Sequence, residues 1–161
     1  MARFLPVSRE QFRADWERTQ PGREVPGTIR LPERATSGSA GYDFFAPADL
    51  VLEPSETVLL PTGVRVRMAD GWVLLLLPRS SLGFRYRLQL DNTAGVIDAD
   101  YYRAKNEGHI LLKLTNDSRE GKVLKVRAGD AVAQGIFLPF GITEDDCASG
   151  VRTGGFGSTD K

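Results

Sequence analysis

The distribution of apolar and polar positions predicts a chain built mainly of short β-strands. Apolar and polar residues alternate over 64–68 and again over 84–90, as they do in strands with one buried face. The continuously apolar run 72–77 predicts a strand that is buried on both faces. Further strands are predicted at 122–126 and 131–138, with turn residues between them. About ten short strands with hardly any helix are typical of a β-barrel or jelly roll.

One helix is predicted near the N-terminus, from residue 8 to about residue 19. Ser8 and Gln11 have the spacing of a capping box, and Pro21 with Gly22 ends the segment. We expect this helix to pack on the surface of the larger β-domain, without a catalytic role.

Three segments follow from these patterns. Residues 1–27 form an N-terminal helical extension, and residues 28–140 form the β-barrel domain. Residues 141–161 contain five glycines, an acidic run and few apolar side chains, a composition that predicts a flexible C-terminal arm.

Composition narrows the classes of function. The 161 residues contain 21 Lys and Arg and 21 Asp and Glu, and this zero net charge argues against a nucleic-acid coat or a binder of anionic membranes. No apolar run approaches the roughly 20 residues of a membrane span. The single cysteine, Cys147, fits a reducing cytoplasm, and the single histidine, His109, excludes a multi-histidine metal cage. We therefore expect a cytoplasmic protein that binds neither membrane nor nucleic acid directly.

The stretch 91–101 carries the first candidate for catalysis. It predicts a hairpin in which Asp98 follows the apolar pair Val96 and Ile97, so that its carboxylate could orient and deprotonate a water molecule. Tyr101 offers a flat face suited to a sugar ring. The alternative that these side chains only decorate a turn stays open on this stretch alone.

Four other stretches carry groups suited to a phosphate-bearing ligand. Asp43 follows a glycine turn, and the turn after the most apolar strand holds a guanidinium and two hydroxyls that could bind phosphate oxygens. Gln134 lies on an apolar strand face, where its amide needs either a backbone or a ligand partner. In the tail, Arg152 could clamp a terminal phosphate and Phe156 could cover an aromatic base. Ordinary turns and a disordered tail remain the alternatives.

Taken in order, the five stretches resemble the five motifs of the trimeric dUTP pyrophosphatase (dUTPase) family, from about Leu31 to the C-terminus. The matching segments are Ala40-Gly41-Tyr42-Asp43, Pro78-Arg79-Ser80-Ser81, Gly95-Val96-Ile97-Asp98 with Tyr101, Gly129-Asp130 with Ala133-Gln134, and Gly154 to Thr159. The resemblance implies a distorted jelly-roll β-barrel and a homotrimer whose three subunits share each active site. It also implies hydrolysis of dUTP to dUMP and pyrophosphate, which limits uracil in DNA and supplies dUMP.

The resemblance implies a role for each matching residue. Asp98 would activate the water that attacks the α-phosphorus, and Tyr101 would pack against the deoxyribose. The uracil edge would be read by Asn92 and the backbone of Gly95, Val96 and Ile97. The phosphates would be contacted by Arg79, Ser80, Ser81, Gln134 and, at the γ-phosphate, Arg152. The arm would close over the base through Phe156, Gly157 and Ser158. The family's Mg²⁺ is held chiefly by the triphosphate, with Asp43 acting through water.

Two features depart from the family pattern, and two other functions compete. The loop 102–108 is longer than is common, and the tail arginine lies one residue closer than usual to the glycines. A dCTP deaminase of the same fold would need a glutamate near the position of Lys113. A dUTP-responsive regulatory protein without turnover is the other alternative.

Overall fold

The computed structural model describes residues 2–150, 152 and 154 of the chain. In this part of the chain the regular structure is mostly β. The strands are β1 (Ala2–Pro6), β2 (Tyr42–Phe45), β3 (Leu50–Leu52), β4 (Thr57–Pro61), β5 (Val64–Met68), β6 (Trp72–Pro78), β7 (Leu88–Leu90), β8 (Gly95–Ile97), β9 (Leu111–Asn116), β10 (Leu124–Val126) and β11 (Ala131–Pro139). The predicted all-β class is confirmed.

Three helical segments accompany the strands. They are α1 (Arg9–Thr19), α2 (Ser80–Tyr86) and a 3-10 helix (Ala99–Arg103). Over the described residues, no helix combines the length and the apolar character needed to cross a membrane.

The strands pair antiparallel in four small sheets. The largest has the order β2-β11-β6-β8, and the others are β4-β9-β7, β1-β5 and β10-β3. The buried faces of these sheets meet in one core, to which α1 adds Phe12 and Trp16. The predicted alternation is confirmed in β5, where Val64, Val66 and Met68 are buried and Arg67 is exposed, and β9 shows the same pattern.

The predicted strand over 84–90 is wrong in its first half. Residues Ser80–Tyr86 form α2, which ends where Arg87 adopts a left-handed conformation (φ 51°) and donates its N–H to Gly83 O. None of the helix residues is buried, and Phe84 is 90% exposed. The alternation of aromatic and arginine residues therefore did not reflect a core-facing strand.

Two expectations about the central sheet also need correction. Strand β6 buries Leu74 and Leu76 on one face, whereas Val73, Leu75 and Leu77 on the other face are only partly buried, so one chain covers only one side of this apolar strand. The two strands of the predicted hairpin, β7 and β8, do not pair with each other: β7 pairs with β9, and β8 pairs with β6. The turn 91–94 thus connects two sheets.

The N-terminal helix begins as predicted, but with only one of the two hydrogen bonds of a capping box. Ser8 Oγ accepts a hydrogen bond from Gln11 N (3.1 Å). The reciprocal bond is absent among the described contacts, since Ser8 N donates to Glu107 Oε2 (2.8 Å) and Gln11 Nε2 donates to Asp15 Oδ2 (2.8 Å). The cap therefore joins α1 to the loop 102–108.

A buried carboxylate–imidazole pair fixes α1 to the end of the same loop. His109 Nδ1 donates to Asp15 Oδ2 (2.7 Å), and His109 Nε2 accepts from Gly63 N (2.8 Å). Burial lowers the pKa of His109 below its ordinary value, against the opposing influence of Asp15. Burial would raise the pKa of Asp15, but hydrogen bonds from Arg18, Gln11 and His109 outweigh it and hold that pKa below normal.

This pair predicts loss of stability in mild acid. Below pH 6.5 the unfolded chain protonates its histidine, whereas the folded chain keeps His109 neutral. The free energy of unfolding should therefore fall by about 1.4 kcal/mol per pH unit until the lowered pKa is reached. Chemical denaturation at about pH 7.5, 6.5 and 5.5 measures this slope. His109→Gln should be less stable at the highest of these pH values but flatter across the window, and an equal slope in both proteins would contradict the assignment.

Candidate active site

Three of the predicted motifs meet at one end of the central sheet. Gln134 on β11 lies opposite Asp43 on β2 and opposite Leu77 on β6. Arg79, directly after β6, approaches Asp43 with 3.5 Å between its guanidinium nitrogen and Oδ2. Antiparallel pairing thus brings a carboxylate, a guanidinium and an amide together from distant parts of the chain.

The side chain of Gln134 is held against the backbone on both sides. Its Nε2 donates to Pro78 O (3.2 Å), so the backbone partner that its sequence position required is present. Its Oε1 lies only 2.6 Å from where a Cβ at Gly41 would stand. A glycine at position 41 therefore leaves room for the Gln134 amide beside Asp43.

Ser80 and Ser81 lie beside this group. Both side chains are exposed in the first turn of α2, immediately after Arg79. Arg79 itself is extended and makes no capping bond with its side chain. A guanidinium and two hydroxyls are therefore presented to solvent at one strand end, where they could bind anionic oxygens.

Asp98 lies elsewhere, between β8 and the 3-10 helix. Its side chain is 47% exposed, and its Oδ2 accepts a hydrogen bond from the guanidinium of Arg152 (2.5 Å). The same guanidinium donates through Nε to Asp100 Oδ1 (2.8 Å). The structure thus places the tail arginine on two carboxylates of its own chain.

Tyr101 is anchored below these carboxylates. Its hydroxyl donates to His109 O (2.7 Å) and accepts from Asn106 Nδ2 (2.8 Å), and only 3% of the residue is exposed. Burial raises the pKa of the Tyr101 hydroxyl to about 12, so the group stays protonated. The Arg152 guanidinium carbon lies 5.8 Å from the centre of its ring.

Within one chain Asp98 is far from Arg79. Ile97 pairs with Leu74, which puts Asp98 level with Val73, about six residues before Arg79 along the same strand direction. At roughly 3.2–3.4 Å per residue this corresponds to about 20 Å. A single chain therefore does not bring the candidate base to the candidate phosphate ligands.

A cavity of about 540 Å³ lies next to the turn 91–94. Asn92 and Gly95 line it on one side, and an apolar floor is formed by leucines of β4, β6 and β9. Asp15 and Arg18 of α1 line another side, together with Asn106 of the loop 102–108. The volume is within the range of small-molecule sites.

Comparison with known proteins identifies the family. The dUTPase family model matches residues 28–160. The deoxyuridine 5'-triphosphate nucleotidohydrolase of Lactococcus lactis is 42% identical over 134 residues, which cover 81% of this chain and 88% of the relative. The Psychromonas ingrahamii protein of the same name is 38% identical over 148 residues, or 87% and 91% of the two chains. This chain belongs to the dUTPase family.

Solved dUTPase structures share the fold. The Streptococcus mutans dUTPase superimposes with a TM-score of 0.66 at 33% identity, covering 88% of this chain and 98% of that one. A mutant dUTPase of phage phi11 of S. aureus, at 22% identity, has the same TM-score of 0.66 over 93% and 97% of the two chains. The jelly-roll fold predicted from the resemblance is confirmed, and the family match leaves the dCTP deaminase alternative without support.

The position that distinguishes a deaminase holds a charged pair. Lys113 Nζ lies 2.9 Å from Asp91 Oδ2 on the open face of β9. The hydrogen bond from Thr115 and the neighbouring Lys113 lower the pKa of Asp91. This ammonium cannot replace the glutamate that deamination requires.

The described residues contain no cluster of three or more His, Cys, Asp or Glu able to enclose a metal ion. Asp43 nevertheless offers a carboxylate beside Arg79, within the group that would face phosphate oxygens. Such a lone carboxylate suits contact with a hydrated cation that is bound mainly by its nucleotide.

Sequence reasoning missed the helix side of the cavity in this dUTPase. Asp15, Arg18 and Asn106 lie outside the five motifs, and nothing in their local spacing points to the turn 91–94. Conversely, Phe156, Gly157 and Ser158, which were predicted to close the site, lie outside the described residues.

Proposed function

We propose that this dUTPase hydrolyses dUTP to dUMP and pyrophosphate by attack of water on the α-phosphorus. Asp98 acts as the general base, which takes a proton from the water as the new P–O bond forms and the bond to pyrophosphate breaks. Family membership and the placement of Asp98 on the open rim of β8 support this assignment.

The cavity beside the turn 91–94 binds uracil in this proposal. Asn92 and the backbone of Gly95, Val96 and Ile97 contact the base edge. Gly95 is packed against β6, where an added Cβ would lie 3.1 Å from Leu76 Cβ, so its backbone is fixed in place. Tyr101 is buried with its hydroxyl engaged, and its ring face would contact deoxyribose once the Arg152 guanidinium, 5.8 Å from the ring centre, moves away.

Arg79, Ser80, Ser81 and Gln134 bind the phosphate chain. The Asp43–Arg79 pair gives this surface both a donor fork and a carboxylate. Mg²⁺ bound by the triphosphate would offset phosphate charge and fix the chain's conformation, with Asp43 as its contact through water. The γ-phosphate would draw Arg152 away from Asp98 and Asp100, because a triphosphate offers a stronger anionic partner.

A homotrimer with shared sites would bring these groups together. The distance of about 20 Å between Asp98 and Arg79 in one chain supports a working site whose two groups come from different subunits. The half-exposed apolar face of β6 is consistent with burial by a neighbouring subunit. We also propose that the protein is cytoplasmic, in keeping with its single, exposed cysteine.

The observation that carries the proposed function is the set of five motifs within a chain matched by the dUTPase model. A nucleotide panel with Mg²⁺ tests it directly. Pyrophosphate should be released from dUTP but not from dCTP, dTTP or UTP. Ammonia from dCTP, or tight dUTP binding without any product, would overturn it.

The arm gives a further prediction. Deleting the residues after Gly150 should abolish turnover, because it removes Arg152 and Phe156, and base stacking alone is worth about 1–3 kcal/mol. Among the described residues, those of the core all precede Phe140, so the truncated protein should keep its fold and its oligomeric mass. Turnover assays and light scattering check both points. Full activity of the truncated trimer would remove the arm from the mechanism.

A further inference from the structure

Helix α1 forms part of the cavity assigned to the base. Asp15 and Arg18 line the same space of about 540 Å³ as Asn92 and Gly95. The family model begins at residue 28, so α1 lies outside the matched segment. Helix α1 therefore forms a wall of the cavity that the five motifs do not supply.

Hydrogen bonds hold α1 in place as a wall of this cavity. Asp15 accepts hydrogen bonds from Gln11, Arg18 and His109, all between 2.7 and 2.8 Å. Glu107 fixes the start of the helix by accepting from the backbone N–H and the hydroxyl of Ser8. A side chain presented from this surface is thus largely preorganised, which reduces the cost of ordering it on binding.

The guanidinium of Arg18 has further N–H donors to offer a ligand in the cavity. One guanidinium nitrogen donates to Asp15 Oδ1 (2.7 Å), and this is the contact that the described structure gives the group. A guanidinium has about five N–H donors in a planar fork and no acceptor. The side chain is 59% exposed, so a ligand entering the cavity can reach it.

We propose that Arg18 is a specificity-determining residue that donates to the C4 carbonyl oxygen of the uracil ring. The proposal rests on the proposed function, in which this cavity holds the base. Uracil has two ring carbonyl oxygens, whereas cytosine carries an amino group in place of one of them. A donor-only guanidinium favours the carbonyl and leaves the amino group unpaired, so Arg18 selects dUTP over dCTP.

The surroundings of Arg18 favour a contact with the base rather than with the phosphates. The floor next to Arg18 is made of leucines, which suits a flat ring and not a triphosphate.

Arg18→Ala, compared with Arg13→Ala, tests the proposal. Arg13 is an exposed arginine of the same helix and does not line the cavity, so it controls for charge and helix stability. Arg18→Ala should lower kcat/KM for dUTP about tenfold, mainly through KM, and reduce the dUTP-to-dCTP preference by a similar factor. Arg18→Lys keeps the charge but loses the planar fork of donors, so its kcat/KM for dUTP should lie between those of Arg13→Ala and Arg18→Ala.

Inhibition by dUMP and dUDP separates the base from the phosphates. If Arg18 contacts uracil, Arg18→Ala should raise both inhibition constants by the same factor. A factor that grows with the number of phosphates would overturn the base assignment, as would Arg18→Ala behaving like Arg13→Ala at an unchanged unfolding midpoint. Failure of the unaltered protein to cleave dUTP would instead contradict the proposed function.

Discussion

Replacing Asp98 by Asn should reduce turnover of dUTP at least a hundredfold while leaving nucleotide binding nearly intact. An amide is close in shape to the carboxylate but cannot accept the proton of the attacking water, and general-base catalysis contributes about 10²–10⁴-fold. Pyrophosphate release measures the loss, and titration with a non-hydrolysable dUTP analogue measures binding. Because Asp98 is half exposed, the substitution should not change the free energy of unfolding by more than about 0.5 kcal/mol.

Asp100→Asn is the matched control. Asp100 shares the Arg152 guanidinium with Asp98, so its replacement weakens the same ion pair without touching the proposed base. Turnover should stay within a few-fold of normal in this variant. Equal losses in the two variants would show that the carboxylates act by holding Arg152, and the base would have to be sought elsewhere.

Two inactive variants should restore activity when their chains assemble together. Arg79→Ala removes a phosphate ligand and Asp98→Asn removes the base, and each pure variant should be almost inactive. If a site takes these groups from different subunits, random assembly of equal amounts leaves about a quarter of all sites with both, and about a third of the sites in the mixed trimers that carry both tags. Co-expression with two different affinity tags, followed by tandem purification and assay, provides the measurement.

A site built within one chain would give no activity in the mixed assemblies. In that case every site would carry one defect, and the mixture would remain as inactive as its parents. The pairing of Ile97 with Leu74 makes the shared arrangement the expected one, since it separates the two groups by about 20 Å along β6.

The fold could be predicted well from sequence, for physical reasons. Alternation in β5 and β9 reports burial directly, because each strand has one face in the core. Asp43, Arg79 and Gln134 each stand at a strand position that antiparallel pairing brings to the same end of one sheet. Where strand pairing alone sets the position of a residue, the sequence pattern was sufficient to predict that position.

Other features were beyond local pattern. Residues 84–87 alternate as a strand does, yet none of the side chains of α2 is buried, so periodicity without burial misled the assignment. The Asp15–His109 contact joins residues 94 positions apart and follows no repeat. The placement of α1 beside the turn 91–94 depends on that contact, which explains why the helix side of the cavity was not foreseen.

The joining of α1 to the loop 102–108 has a consequence for chimeric proteins. Ser8 is bonded to Glu107, and Asp15 to His109, so each segment satisfies polar groups that the other buries. Grafting α1 alone onto a dUTPase with a short loop would leave the Asp15 carboxylate without its imidazole donor, at a cost of about 1–3 kcal/mol or more. The two segments should therefore transfer successfully only as a pair, and lineages that gained one should carry the other.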